Sequence, residues 1–546
     1  MAAAGESGHR YDAVVVGSGF GGSVMAYRLA DAKLDVCLLE RGKPWPPGSF
    51  PRTPYDFSQA LWDPSAGLHG LYELWSFGGL GALVSSGLGG GSLIYANVIL
   101  KKPKEWFTEP DGRAWPISYE ELAPEYEEVW PFLAPQTYPE RYHASTPKTT
   151  AFHAATKKLG LKPSYPPLAI TFGKEPGARF GEPAENLHRA QRYTCRLVGE
   201  CDVGCNYGSK NSLDYTYLSK ADPLCLTICC RQEVKAFERD DGGFRIEVAD
   251  HSQAKEGTPR AGPAPTRIVL TRRLILCAGA LGTPYLLLRN RSAFPKISPL
   301  LGTRFSGNGD FIAFAARSPR PMQPAVGPVI TAAVEIEDAP GGPGGFVIED
   351  AGYPDFLAWV GEMIALPRIG WAGRRTALRI AWGKLTGRPD SNLSAEASAL
   401  LGSPRLAGGT LPLLGMGREP VQGRMRLGRR ALLDVEWSFA DARPYFDRVR
   451  YYTRGIAREI GAEFEDSILR RLNASITVHP LGGCPMGKTD AEGVVDPESG
   501  CVHNYKGLHV ADGSVMPGTV GTNPSFTIAA VSNRFAKAIL RDEGKL

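Results

Sequence analysis

Val14-Val15-Val16-Gly17-Ser18-Gly19-Phe20-Gly21-Gly22 is the stretch that decides the fold. An apolar run from Asp12 to Val16 opens onto a GxGxxG turn, then a helical pattern from Gly22 to Ala30 and a second apolar run from Val36 to Leu39. That order is a βαβ unit with the turn in the context that nucleotide binding requires. Gly17 permits the tight turn, Gly19 lets backbone N–H groups approach a pyrophosphate, and Gly22 lets the helix pack closely on the strand. Phe20 lies in the same turn, at the helix terminus whose partial positive charge seats the anion. Glu40 follows about twenty residues on, where a carboxylate accepts hydrogen bonds from adenosine ribose hydroxyls. A lone GxGxxG is a weak signal, but here strands, helix and acidic residue agree. The turn alone leaves FAD and NAD both open.

Further along, Arg267 to Ala278 reads as another strand, followed by Gly279-Ala280-Leu281-Gly282-Thr283-Pro284 and an apolar helix from Tyr285 to Leu288. The dinucleotide-type pattern therefore returns far from the first turn, and the nucleotide domain is expected to be discontinuous. Asp250 to Thr266, rich in Pro, Gly, Ala and charge, reads as an exposed hairpin or loop. From Pro299 to Ala474 alternating runs such as Pro328 to Ile336 and Leu432 to Trp437 point to an antiparallel sheet, the expected substrate part. Within it, Ile364 to Gly415 mixes Trp371 and Trp382 with Arg374, Arg375, Arg379 and Lys384. That stretch reads as an amphipathic cover for the protein's own core or as a surface resting on a membrane.

The fold class expected is α/β, with an α+β substrate part: a Rossmann-like three-layer nucleotide domain beside an antiparallel-sheet domain. The expected boundaries are 8–145, 215–300 and 475–546 for the first, and 146–214 and 301–474 for the second. A chain of 546 residues has room for both.

Apolar residues at 43% and charged residues at 22% describe an ordinary globular protein and exclude global disorder. A net charge of +5 with no long basic run excludes a nucleic-acid binder. Leu74 to Leu100 is uncharged and long enough to span a bilayer, yet Gly78, Gly79, Gly81, Gly87, Gly89, Gly90 and Gly91 suit a loop of close backbone approach instead of a helix. The first twelve residues carry no apolar secretory segment, and the ten cysteines read as reduced thiols, so the expectation is a cytoplasmic protein, with peripheral membrane contact left open.

Toward the other end, Val478-His479-Pro480-Leu481-Gly482-Gly483, Leu508 to Ser514, and Gly521-Thr522-Asn523-Pro524-Ser525-Phe526-Thr527 form one constellation. Asn523 reads as a helix N-cap with Pro524 at the first helical position, ahead of an apolar helix running to about Phe535. The N–H groups of such a terminus favour negative charge at the N1/C2 edge of a reduced flavin. Asp512, at the end of the strand Leu508 to Ala511, and the backbone of Gly513 are candidates for fixing ribityl or pyrophosphate oxygens. His479 sits in a glycine- and proline-rich turn that presents its side chain. Oxidation of an alcohol needs a group that takes the hydroxyl proton as hydride leaves carbon, and an imidazole suits it.

Four blocks together, Asp12 to Gly42, Gly87 to Asn97, Cys277 to Pro284 and His479 to Asn533, resemble the glucose-methanol-choline oxidoreductases, most of all their cholesterol oxidase branch. The resemblance implies FAD as cofactor and His479 and Asn523 as the catalytic pair. It also implies flavin contacts from Gly90, Gly91, Ser92 and Ala96, an adenine contact near Val234, and further cofactor contacts at Gly279, Gly513, Pro524 and Ser525. The implied reaction is oxidation of a bulky hydrophobic alcohol, a 3β-hydroxysteroid such as cholesterol, with oxygen or another electron acceptor as partner. Two alternatives share the fold: a dehydrogenase of another alcohol or sugar feeding a protein or quinone, and a redox-silent lyase. Pro299 to Ala474 carries no motif matched residue by residue, and no isomerising carboxylate is identified in it.

Cys195, Cys201 and Cys205 lie close together among glycines. Two readings stand: a loop with small buried thiols or one local disulfide, and the iron–sulfur ligands that the spacing resembles in some family members. No fourth Cys or nearby His completes a zinc site.

Overall fold

A computed structural model describes residues 8–52, 60–260, 262–354, 409–467 and 475–546. Valines at 14 to 16 are buried on both faces of the strand Arg10–Val16, as a central parallel strand requires. That strand pairs in parallel with Val36–Glu40 on one side and Thr266–Leu276 on the other. Leu226–Cys230 continues the parallel part beyond Val36–Glu40. Beyond Thr266–Leu276 the sheet ends in the antiparallel strands Gly243–Asp250 and Gln232–Asp240. Leu508–Val510 lies along the C-terminal end of Thr266–Leu276 and makes the sheet seven-stranded. The sheet therefore draws on segments some 500 residues apart, the spacing between Arg28 and Asn533 being 505, and those two side chains are joined at 2.6 Å.

The fingerprint helix is Phe20–Asp31, and it packs against Ser525–Asp542. Its approach to the sheet is set by glycine: a Cβ on Gly21 would stand 1.6 Å from the carbonyl oxygen of Ala511, and one on Gly22 1.8 Å from that of Gly17. The helix expected at Tyr285 to Leu288 spans Gly279–Arg289. It starts early because Asp512, 233 residues away, accepts a hydrogen bond from the first N–H, that of Gly279, at 2.8 Å.

A second sheet has five antiparallel strands in the order Ala333–Ile336, Phe346–Asp350, Leu411–Gly417, Phe311–Ala316 and Glu463–Asp466. The amphipathic helix Phe439–Ile460 buries Ala442, Tyr445, Phe446, Val449, Thr453, Ile456 and Ala457 against it, beside Pro147–Lys158. Of the alternating runs expected here, Pro328 to Ile336 is strand only from Ala333. Leu433–Glu436 pairs with Arg424–Leu427 in a separate two-stranded sheet. Most of the stretch Ile364 to Gly415 lies outside the described residues.

A third, smaller sheet joins the hairpin Tyr72–Phe77 and Leu80–Ser85 to Ser475–Thr477. The uncharged run from Leu74 is thus hairpin and glycine turn, and among the described residues no helix is long and apolar enough to cross a membrane.

Candidate active site

His479 leaves the strand Ser475–Thr477, and its position is fixed by Asp310, the residue before the strand Phe311–Ala316. Oδ2 of Asp310 accepts hydrogen bonds from Val478 N at 2.8 Å, His479 N at 3.1 Å and Thr477 Oγ1 at 2.9 Å. Oδ1 lies 2.7 Å from Nδ1 of the imidazole. A carboxylate only accepts, so Nδ1 carries the proton and Nε2 presents its lone pair. Burial by itself lowers the His479 pKa, but the charge and hydrogen bond of Asp310, with Glu349 and Asp202 beyond, outweigh it and raise the value above an ordinary imidazole.

Asn523 ends a buried loop, and Pro524 precedes the helix Ser525–Asp542, which runs past the expected end at Phe535. Nδ2 of Asn523 points toward Oε2 of Glu349 at 3.5 Å, while its Oδ1 and the Oε1 of Glu349 are buried without a protein partner. Glu349 stands in the strand Phe346–Asp350. Burial pushes its carboxyl up to about 8, against the Asn523 hydrogen bond and the charge of His479, so it is neutral at pH 7. Asp350, next along the strand, is buried against Lys148 at 3.0 Å. Asp202, whose side chain is solvent-exposed, is nonetheless surrounded closely enough by protein that its carboxyl is pushed up to about 6, with Lys210, His479 and Lys148 acting the other way.

The glycine turn meets the same region. Ser18 Oγ donates to Glu40 at 2.6 Å and accepts from Gly89 N at 3.0 Å, and a Cβ on Gly90 would touch Gly19 at 2.5 Å. Ser525 Oγ reaches Val98 O at 3.5 Å, and Phe20 packs edge-on against Tyr95. Gly482 N donates to Gly513 O at 3.0 Å, which ties the loop after His479 to the turn after Asp512. Both oxygens of Asp512 are engaged by protein, Oδ2 with Gly279 N and Thr283 Oγ1 and Oδ1 with Ser514 N, so the carboxylate aligns the two turns. Glu40 likewise holds Ser18 and Gly42. Ser92 is buried and donates to Gly89 O, Ala96 is half-buried, and Val234 is buried in a strand that packs on Val36–Glu40.

These residues fit a dinucleotide. Gly19, Gly91 and Gly279 face open space, where a Cβ would meet nothing within 4 Å. The same segments carry buried polar atoms with no protein partner: Ser86 Oγ just before the glycine run, Tyr95 OH and both amide atoms of Asn97 at its end, and Asn523 Oδ1. Each unmet buried group costs about 1–3 kcal/mol, so the cradle calls for an occupant rich in hydrogen-bonding atoms, as FAD is.

Cys195, Cys201 and Cys205 line one small pocket together with Arg196, Glu200 and Lys210. All ten cysteines are free. Burial raises the Cys195 thiol well above its usual pKa and Cys201 to about 11. Among the described residues no three His, Cys, Asp or Glu side chains are arranged to hold a metal ion.

Asp310, Glu349 and Asn97 escape the sequence reading. Asn97 closes the glycine-rich run Gly87 to Asn97 and its φ of +70° marks it as special. Asp310 had a weaker signal, the turn Gly307-Asn308-Gly309 ahead of an apolar strand, and Glu349 had only an acidic pair ending the run Phe346-Val347-Ile348.

The fold and the site together define a two-part flavoenzyme. The chain belongs to the glucose-methanol-choline (GMC) oxidoreductase family: models of that description match residues 11–307 and 435–532. Its cofactor is FAD, and it is an oxidoreductase of alcohols. It is 27% identical to a cholesterol oxidase of Mycobacterium tuberculosis over 96% of this chain and 90% of that protein. It is 25% identical to a long-chain-alcohol oxidase of Arabidopsis thaliana over 96% of this chain and 66% of that one. A solved formate oxidase of Aspergillus oryzae shares the fold, with a TM-score of 0.63 at 14% identity, covering 99% of this chain and 100% of that one.

Proposed function

We propose that the protein oxidises a bulky hydrophobic alcohol, with a 3β-hydroxysteroid such as cholesterol as the leading substrate, and that His479 takes the hydroxyl proton. The observation that carries the proposal is the Asp310–His479 pair at 2.7 Å, which leaves Nε2 free in a site shared with Asn523 and Glu349.

Gly17, Gly19, Phe20, Gly22, Glu40 and Val234 hold the adenosine diphosphate half of FAD in this reading. Gly90, Gly91, Ser92, Ala96, Gly279, Asp512, Gly513, Asn523, Pro524 and Ser525 hold the ribityl and flavin half. Bound FAD supplies the two-electron acceptor for the hydride that leaves the carbinol carbon. Nε2 of His479 removes the hydroxyl proton, and Asp310 stabilises the imidazolium that forms. Asn523 hydrogen-bonds the substrate oxygen and so orients the alcohol. In its ionised form Glu349 would take the α-proton of an unsaturated ketone product and return it at the far carbon, which shifts the double bond; a pKa raised to about 8 makes that carboxylate a stronger base than an ordinary one.

The similarity to cholesterol oxidases along nearly the whole chain supports the steroid, and the similarity to a long-chain-alcohol oxidase names the competing substrate. Anaerobic mixing of the holoenzyme with 3β-hydroxysteroids and with long-chain primary alcohols tests both. Bleaching of the flavin by the steroid is expected. A His479→Gln variant bleached as fast as wild type removes the assigned role. Peroxide formed under air identifies oxygen as the acceptor, whereas turnover only with a dye or quinone identifies a dehydrogenase.

A further inference from the structure

We infer that Asn308 is a positioning residue that sets the placement of Asn523 relative to His479. The inference rests on the reading of those two as the catalytic pair. They arrive from separate loops, and no hydrogen bond joins them among the described residues. One turn, Ser306 to Asp310, grips both loops.

On one side, Asp310 holds the His479 ring and the backbone around it. Ser306 pairs with Leu481 through both backbone bonds, Ser306 N to Leu481 O at 3.0 Å and Leu481 N to Ser306 O at 2.9 Å. On the other side, Asn308 uses both ends of its amide on the loop that ends in Asn523. Its Nδ2 donates to Thr522 O at 2.9 Å, and its Oδ1 accepts from Gly521 N at 2.8 Å. The two bonds fix the amide's orientation and hold the backbone of the two successive residues before Asn523, at the N–H of Gly521 and the carbonyl of Thr522.

The turn itself is braced. Asn308 is fully buried, with its N–H on Ser306 Oγ at 2.9 Å and its carbonyl receiving Gly417 N at 2.8 Å. Glu419 accepts from Ser306 Oγ at 2.9 Å and Gly307 N at 2.7 Å. Asn308 adopts φ +55°, a conformation that Asn and Gly tolerate best, so the position combines a left-handed backbone with a two-ended amide. Asn is the one ordinary side chain that meets both demands at this length. An error of about 1 Å in placing one reacting group costs on the order of a hundredfold in rate, so a residue that touches neither substrate nor cofactor is still visible in kinetics.

Asn308→Gly keeps the backbone conformation and deletes the amide. Flavin reduction by the alcohol in this holoenzyme is expected to slow by about 10- to 100-fold, with a larger isotope effect on the substrate's carbinol hydrogen and unchanged FAD content. Asn308→Asp, which keeps the acceptor for Gly521 and loses the donor to Thr522, is expected to fall between wild type and Gly. In an Asn523→Ala background, Asn308→Gly should cost less than about threefold more, since the side chain whose placement it sets is gone. A wild-type reduction rate in Asn308→Gly overturns the inference, as does a loss that multiplies fully in the Asn523→Ala background. If His479→Gln and Asn523→Ala themselves reduce flavin at the wild-type rate, it is the catalytic reading that fails instead.

Discussion

In the role proposed for it, His479 can act as a base only while its ring is neutral, and Asp310 raises the pH at which that condition is met. The rate of anaerobic flavin reduction should therefore climb with pH along a limb centred above the ordinary imidazole value of about 6.5. Asp310→Asn removes the charge that holds the proton, so the limb should move to lower pH while the plateau falls on the order of a hundredfold, because the ring loses its fixed tautomer. An unmoved limb would show that another group titrates. Glu349 gives a second, independent signature. Its folded pKa of about 8 exceeds the usual carboxylate value, so between about pH 4.5 and 8 the unfolded chain releases a proton that the folded one keeps. Stability from this group is complete below that window and is lost as pH rises through it, by roughly 5 kcal/mol. Thermal melts of wild type and Glu349→Gln from pH 5 to 8.5 check it: the variant's curve should be the flatter, and parallel curves would refute the raised pKa.

Among the elements, the fingerprint helix is held to the sheet by glycines that leave no room for a methyl group. Gly22→Ala forces a Cβ against the carbonyl oxygen of Gly17 and should yield protein with less than about a tenth of the normal FAD, read from the ratio of flavin to protein absorbance. The strand Phe346–Asp350, which carries Glu349, is anchored differently. Asp350 binds Lys148 of the helix Pro147–Lys158 and the backbone of Thr331 and Ala332, all buried. Lys148→Met leaves that carboxylate without its cation and should destabilise the protein by about 3–5 kcal/mol, measured by denaturant unfolding. These two elements differ in how much of them sequence reveals. The helix announces itself because its requirements are local: a turn, a close approach and an acidic residue lie within one short stretch. Asp310 and Glu349 serve partners 169 and 174 residues away, and no periodicity encodes such a meeting. The same holds for Gly279, where the apolar run suggests a helix from Tyr285 but a distant carboxylate starts it six residues sooner.

Across the whole molecule, early and late segments of the chain share one sheet, and the glycine run and the loop before Ser525–Asp542 carry buried polar atoms of Ser86, Tyr95, Asn97 and Asn523 that no protein group meets. Stripping FAD should therefore lower the melting temperature, and adding it back at about a thousandfold over its dissociation constant should restore about 4 kcal/mol of stability. An apoprotein that melts with the holoprotein would mean that those atoms have no need of the cofactor. The bond between Arg28 and Asn533 carries one more implication. A ribosome adding about 5–20 residues per second needs roughly 25–100 s to travel from the first of these to the second. Throughout that interval the nascent βαβ unit leaves bare the apolar flank later covered by Ser525–Asp542, so the nucleotide cradle cannot close until the segment around Asn533 has been made.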